Sequence, residues 1–139
     1  MSQPSRILEA ASRAPSPAQE RNAKVERVLR NITGLRGVTA AAIVDGDGLV
    51  THAQQNFEIN VDALGAAVQI GFGGAGQASE HVGLGAINLF FVENQQGLLI
   101  LAPLVKHFIL AVVADNSSLL GSARFEVKLT VPVLNEIFA

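Results

Sequence analysis

The sequence contains no cysteine, no tryptophan and no tyrosine. Without cysteine, a disulfide framework, a thiolate zinc site and a cysteine nucleophile are all excluded. A domain of this length buries roughly 70% of its unfolded surface, so it folds without such cross-links. Because the remaining side chains offer little for catalysis, we predict a binding protein with no catalytic residue, no cofactor and no metal site.

Charged residues are also scarce, at 16% of the chain, whereas hydrophobic residues make up 49%. An average soluble domain is about 25% charged. The surface of a small domain is large relative to its core, so low charge indicates that another subunit covers some apolar surface. The composition therefore predicts a homodimer.

Basic residues are concentrated at the N-terminus. Residues 1–36 hold seven Lys and Arg against three acidic residues, and the remainder holds three against nine. A basic arm can bind nucleic acid or anionic lipid. Here Glu9, Glu20 and Glu26 separate the basic side chains, and no aromatic residue is available for base stacking. A solvated helix face is the favoured interpretation, without a nucleic-acid partner.

The chain also lacks a long uninterrupted apolar run. Its N-terminus has no apolar core of the kind found in secretory signal peptides. The stretch 97–114 is interrupted by Pro103, Lys106 and His107, which favours two buried strands over a membrane span. We therefore expect a cytoplasmic protein with no stable membrane insertion.

Two regions are predicted along the chain, a flexible proline-rich arm at 1–17 and one domain at 18–139. The domain starts with a helix from Ala18 that Gly34 ends. Its apolar residues have the spacing of one buried helical stripe. They are Val25, Val28, Leu29, Ile32 and Leu35.

A β-hairpin follows, because the apolar runs Val38–Val44 and Leu49–Ala53 flank an Asp-Gly-Asp-Gly turn at 45–48. The two aspartates do not have the spacing of a calcium-binding loop. Ile43 and Gln54 would occupy the first and last ligand positions of such a loop. The turn is therefore interpreted as structural.

A second, longer helix is predicted from Asn60, its N-cap, to about Val82. Five glycines interrupt its interior, and each costs up to ~1 kcal/mol relative to alanine. So many glycines are tolerable where another backbone comes very close, as a partner helix would. The apolar stripe is Val61, Leu64, Val68 and Phe72, and the glycines are Gly65, Gly71, Gly73, Gly74 and Gly76.

The segment Gly71–Gly76 also satisfies the dinucleotide-binding motif G-x-G-x-x-G. Ala66–Ile70 could form the preceding strand, and Glu93 could be the ribose-binding acid. Only Gln77–Val82 would remain for the following helix, which is short for a crossover connection. A dinucleotide-binding enzyme is therefore the less favoured alternative.

Three β-rich runs follow at Ala86–Glu93, Gly97–Leu104 and His107–Ala114. Short turns join them, which predicts a meander of antiparallel strands. Pro103 is expected near a strand end, where no ladder donor is needed.

The last segment fits two patterns. Apolar positions in 120–138 have helical spacing, whereas 125–131 alternates like a strand. We favour a helix that is capped by Ser117 or Ser118 and kinks near Thr130–Pro132, because proline disfavours an unbroken helix.

The order helix, hairpin, long helix, three-stranded meander and helix resembles the roadblock/dynein light chain domain. The resemblance lies in VTAAAIVDGDGLVTHA at 38–53, the small-residue helix at 60–82, HVGLGAINLFFVENQQGLLILAPL at 81–104 and HFILAVVADNSSLLGSARFEV at 107–127. This family implies an α+β fold in three layers, similar to profilin. A five-stranded antiparallel sheet would carry the long helix on one face and the N- and C-terminal helices on the other.

The resemblance also implies homodimerisation through the long helices and the third-strand edges, which would join two sheets into one. Bacterial members bind a Ras-like small GTPase across the dimer and speed its GTP hydrolysis, in signalling that includes cell polarity. A non-catalytic adaptor that regulates such a GTPase is therefore expected, with a scaffold that leaves hydrolysis unchanged as the alternative. The implied dimer-interface residues are Leu64, Gly65, Val68, Phe72, Gly76, Asn88, Phe90 and Val92. No GTPase-contact residue is assigned.

Overall fold

The computed structural model describes residues 14–56, 60–116 and 120–139. Most of the predicted arm at 1–17 lies outside these ranges, as do the suggested caps Ser117 and Ser118. In chain order the elements are α1 (Pro17–Thr33), β1 (Val38–Val44), β2 (Val50–Gln55), α2 (Val61–His81), β3 (Phe90–Asn94), β4 (Gly97–Pro103), a 3-10 turn (Val105–His107), β5 (Ile109–Asp115) and α3 (Leu120–Phe138).

The five strands form one antiparallel sheet in the order β2-β1-β5-β4-β3. The predicted meander is confirmed, since β3, β4 and β5 are neighbours in chain order. The hairpin of β1 and β2 adds to the other side of β5, with Val44 opposite Ile109. This order places β2 and β3 at the two edges of the sheet.

Helices cover the two faces of the sheet, as the resemblance implies. Alternate strand residues point to opposite faces, and the buried apolar side chains accordingly form two clusters. One joins α1 and α3 to the sheet through Val25, Leu29, Ile43, Ile100, Leu110, Val112, Val127 and Leu134. The other joins α2 to the opposite face through Val44, Val68, Leu101, Ile109 and Ala111. The three-layer α+β fold is confirmed.

The first helix begins at a complete capping box. Ser16 accepts a hydrogen bond from the Gln19 backbone N–H at 3.1 Å, and the Gln19 side chain accepts one from the Ser16 backbone N–H at 2.8 Å. Pro17 occupies the first helical position, where its missing N–H costs nothing. The helix therefore starts one residue earlier than predicted, and Gly34 ends it as expected.

The Asp-Gly-Asp-Gly turn is structural. The Asp45 carboxylate accepts hydrogen bonds from the backbone N–H groups of Asp47 at 2.9 Å and Leu49 at 3.0 Å. Such local bonding by Asp replaces the missing backbone partners within a tight turn. The hairpin is confirmed, and its second strand runs from Val50 to Gln55 instead of ending at Ala53.

The third strand is shorter than the sequence predicts. It begins at Phe90 and not at Ala86, because residues 82–89 form a loop between α2 and the sheet. Gly83 and Gly85 in this loop have φ angles of 77° and 78°, which no regular strand contains. Similarly, Lys106 and His107 have positive φ angles, so β5 begins only at Ile109.

The helical interpretation of the last segment is confirmed. The helix α3 continues through Pro132 to Phe138, and 125–131 is not a strand. The Thr130 hydroxyl donates a hydrogen bond to the Glu126 carbonyl at 2.7 Å, one turn earlier. Burial of one side of α3 against the sheet outweighs the cost of the interior proline, about 3 kcal/mol.

Candidate dimer interface and partner surface

The sides of α2 have different surroundings. Val68, which is 2% exposed, marks the side against the sheet. Residues in a helix are separated by about 100° around the axis. Gly65 and Gln69 lie on the flank towards the β1–β2 turn, since Gln69 donates a hydrogen bond to the Asp45 carbonyl at 2.6 Å. Ile70 lies opposite the sheet and is 77% exposed.

Gly65 is a contact within one chain. A Cβ atom added there would collide with the carbonyl oxygen of Gly48 and lie 3.1 Å from Cγ2 of Val50. The residue is buried. Its missing side chain is therefore required by the hairpin of its own chain, and not by a partner helix.

The remaining flank of α2 is made of small, exposed residues. A Cβ atom added at Gly71 or Gly74 would have no neighbour within 4 Å, so packing within the chain does not require glycine at either position. Together with two alanines they follow a spacing of three and four residues, which places them in one line. We call this line the small-residue flank, and it consists of Ala67, Gly71, Gly74 and Ala78.

The sheet residues predicted for the interface lie on the α2 face. Phe90 pairs with Leu101, and Val92 pairs with Leu99. Phe90 and Leu99 are only partly buried in the cluster under α2. The helix packs mainly over β1 and β2, so it leaves the apolar side chains near β3 half-exposed.

Besides its half-exposed apolar side chains, the β3 edge has backbone groups that can pair with another strand. A strand at the edge of a sheet presents backbone N–H and C=O groups that no neighbouring strand satisfies. Asn88 lies exposed just before this strand. An edge strand that carries half-exposed apolar side chains is suited to pair with another strand.

The predicted interface residues thus divide into three groups. Gly65 and Val68 are covered by their own chain. Leu64 and Phe72 are half-buried beside Val68. A Cβ atom added at Gly76 would lie 3.9 Å from Cδ1 of Ile87, which is an ordinary contact distance. Asn88, Phe90 and Val92 lie at the open edge of the same face. The sequence prediction did not include Ile70, which the structure shows as a large exposed apolar residue outside the buried stripe of α2.

The described residues do not form the dinucleotide-binding turn that the glycine motif would require. The G-x-G-x-x-G segment Gly71–Gly76 lies inside α2, whereas dinucleotide binding needs a strand-to-helix turn there. Over residues 14–56, 60–116 and 120–139, no three His, Asp or Glu side chains are close enough to share a metal ion. In the same ranges, no helix is long and apolar enough to cross a membrane.

His52 has a structural role. Its Nε2 atom lies 3.0 Å from Oδ1 of Asn22, which links β2 to α1. Burial lowers the pKa of His52 below 6.5, with a smaller upward effect from Glu26 and a smaller downward effect from Arg21. The neutral imidazole is therefore the form that the folded chain favours.

Comparison with known proteins identifies the family. Residues 24–114 match the model of the Roadblock/LC7 domain. This chain belongs to the Roadblock/LC7 domain family. The match includes α2, the small-residue flank and the β3 edge, so the candidate surface lies within the Roadblock/LC7 domain. The family is regulatory and non-enzymatic.

This Roadblock/LC7 chain is similar in sequence to an archaeal protein and similar in fold to bacterial proteins of known structure. The protein MJ0714 of Methanocaldococcus jannaschii is 26% identical over 114 residues, which are 82% of this chain and 96% of that protein. Myxococcus xanthus MglB has a similar fold, with a TM-score of 0.78 and 20% identity over 84% of this chain and 89% of that one.

Two further structures extend the likeness in fold. The gliding protein MglB from Thermus thermophilus gives a TM-score of 0.77 at 19% identity, over 90% of this chain and 93% of that one. Profilin IB of Acanthamoeba castellanii gives 0.59 at 19% identity, over 80% and 97% respectively. The profilin-like Roadblock/LC7 fold expected from the sequence is confirmed.

Proposed function

We propose that this chain is a homodimeric, cytoplasmic adaptor that binds a Ras-like small GTPase and regulates it. The observation that carries the proposal is the open α2–β3 face on a Roadblock/LC7 domain. Two parts of this face have no partner within the described chain: the small-residue flank of α2 and the edge of β3. MglB-like neighbours point in the same direction, towards a family of small-GTPase regulators.

Dimerisation would satisfy both parts at once. In a two-fold arrangement the β3 edges pair antiparallel and extend the sheet across two copies. The same symmetry brings the two α2 helices side by side over the joined sheet. Gly71 and Gly74 would permit a close approach of the helix backbones, since a larger side chain at either position would hold them apart.

The GTPase would then bind to the outward side of the paired helices. Ile70 lies on this side and is 77% exposed, as a contact residue for a partner would be. Exposed apolar residues of this kind contribute to protein interfaces when a partner covers them. The chain contains no P-loop motif of its own, so the nucleotide site belongs to the partner.

Regulation does not require a catalytic residue from this chain. A partner can stimulate GTP hydrolysis by ordering the switch loops and positioning groups that the GTPase already has. Arg124 lies away from the proposed contact, because its guanidinium is 5.9 Å from the centre of the ring of Phe91, which packs on the face of the sheet opposite α2. This observation favours regulation by positioning, or a scaffold that leaves hydrolysis unchanged.

The proposal is tested by capturing the GTPase with this chain as bait. Lysate of the source cells is loaded with a slowly hydrolysed GTP analogue or with GDP, and the captured GTPase is purified. Preferential capture of the GTP-analogue form supports the proposal, whereas no GTPase in either state contradicts it. GTP turnover of the purified GTPase then separates the two roles, since a regulator changes the rate and a scaffold does not.

A matched pair of variants locates the contact. Ile70→Glu should abolish capture, because it introduces a charge at the centre of the proposed contact. Leu129→Glu makes the same change at a 53% exposed position of α3, in the layer on the other side of the sheet. It should capture the GTPase as well as the unmodified chain does. If both variants captured the GTPase equally well, the GTPase would not bind at Ile70 of α2.

A further inference from the structure

A second exposed apolar surface lies on α3, on the opposite side of the molecule from α2. Phe125, Leu129 and Val133 are 61%, 53% and 47% exposed. Their spacing of four residues places them in one line along the helix. The buried side of the same helix is formed by other residues, such as Val127 and Leu134. The exposed line, which we call the α3 stripe, is therefore not required for the core of the chain.

The α3 stripe leads into a groove between α3 and α1. The groove is lined by Lys24, Arg27 and Val28 from α1 and by Val133, Glu136 and Ile137 from α3. Val133 belongs to both features, so the stripe and the groove form one continuous surface. Lys24 and Arg27 are exposed along its α1 side.

Net charge distinguishes the layer formed by α1 and α3 from the rest of the described chain. In α1 there are four basic residues and two acidic ones, and α3 has two of each. Between the two helices, the described residues 34–56 and 60–116 carry two basic and six acidic side chains. The α1–α3 layer is therefore positive and partly apolar, while the remainder of the described chain is negative.

We propose that the α3 stripe and the α1–α3 groove bind an amphipathic helix of a partner protein, with carboxylates along one flank. The apolar side of that helix would cover Phe125, Leu129 and Val133. Its acidic flank would face Lys24 and Arg27. A groove between two helices has the shape that a third helix fills, and residues spaced by three and four supply its contacts.

The charges argue against a second copy of this chain as the occupant. Pairing two α1–α3 layers would bring like net charges together, which opposes association. An anionic bilayer would match the sign of the charge. However, the exposed apolar residues follow a line along one helix and do not form the broad flat surface that a bilayer would cover. A protein helix, with its acidic residues on the side of Lys24 and Arg27 and away from Glu136, fits this arrangement.

The inference is tested with a phage-displayed library of helical peptides. The library is selected on the unmodified full chain and counter-selected on the Leu129→Gln variant. We expect enriched peptides with apolar residues at helical spacing and Asp or Glu on one flank. A labelled consensus peptide, measured by fluorescence anisotropy, should lose about tenfold or more in affinity to Leu129→Gln. The double reversal Lys24→Glu, Arg27→Glu should also weaken binding by about tenfold, because two attractive pairs with the peptide carboxylates would be replaced by like-charge repulsion.

Controls separate this surface from the α2–β3 face. Ile70→Glu should bind the peptide as the unmodified chain does, and circular dichroism should show that all variants keep their fold. The inference fails if no peptide is enriched, if enriched peptides lack acidic residues, or if the variants bind them equally. It also fails if Leu129→Gln only lowers the oligomer mass, which would indicate a second copy. Binding to phosphatidylserine vesicles without binding to the consensus peptide would instead indicate a membrane.

Discussion

Gly65 is the point at which α2 and the β1–β2 turn approach each other most closely. Replacement by alanine should destabilise the chain, because the new methyl group meets the carbonyl oxygen of Gly48. Overpacking of this kind typically costs about 1–3 kcal/mol, and a gain of up to ~1 kcal/mol in helix propensity offsets only part of it. Urea unfolding measures the change in the free energy of unfolding.

Gly121 provides the matched control for this substitution. It also lies in a helix, but a Cβ atom there would have no neighbour within 4 Å. Gly121→Ala should therefore leave the free energy of unfolding unchanged or raise it by up to ~1 kcal/mol. If both alanine variants behaved alike, steric contact with the hairpin would not be the reason for glycine at position 65.

His52 should make the stability of the chain depend on pH. Because burial lowers its pKa in the folded state, the unfolded chain binds a proton more readily. The contribution is fully present above the unfolded pKa of 6.5 and is lost as the pH falls from there towards the lower folded pKa. The melting temperature should therefore drop as the pH is lowered from about 6.5, and it should be nearly constant above that pH as far as His52 is concerned.

His52→Gln tests this assignment, since glutamine keeps a side-chain donor for Asn22 but does not titrate in this range. Its melting temperature should change less over the same pH interval. An equally steep change in the variant would place the titrating group elsewhere.

Among elements, those defined by local signals were predicted closely. The strand β1 has the predicted bounds, and α2 runs from Val61 to His81, as its N-cap and apolar stripe indicate. The start of β3 was placed four residues too early, because 86–89 have β-rich composition but belong to the glycine-containing loop 82–89. Composition alone does not show where a chain joins a sheet, since pairing with β4 decides it.

The glycines of α2 show the same limit for the candidate site. Their number in one helix predicts a close approach of another backbone, and the structure shows one within the chain, at Gly65. Gly65 faces the hairpin of its own chain, while Gly71 and Gly74 face open space. A glycine that faces the hairpin is told apart from one that faces open space only by its position around the helix axis relative to Val68, which packs against the sheet. The helix-or-strand ambiguity in α3 was likewise decided by burial of Val127 and Leu134.

At the scale of the whole molecule, the uncovered α2–β3 face predicts a stable dimer. Light scattering at micromolar concentration should give twice the chain mass of 14.6 kDa. Gly74→Glu should give monomers, because a bulky charge on the small-residue flank would separate the helices while leaving each chain folded. The control Gly121→Glu makes the same change on α3, at a site equally open to solvent, and should remain dimeric.

The dimer prediction has a further consequence for the proposed function. If the GTPase binds across two paired α2 helices, the Gly74→Glu monomer should lose capture even though Ile70 is intact. Leu129→Glu should retain both the dimer mass and capture. A Gly74→Glu variant that stays dimeric would contradict helix pairing through this flank. A monomer that still captures the GTPase would show that one copy of α2 is sufficient for binding and would contradict a contact across the dimer.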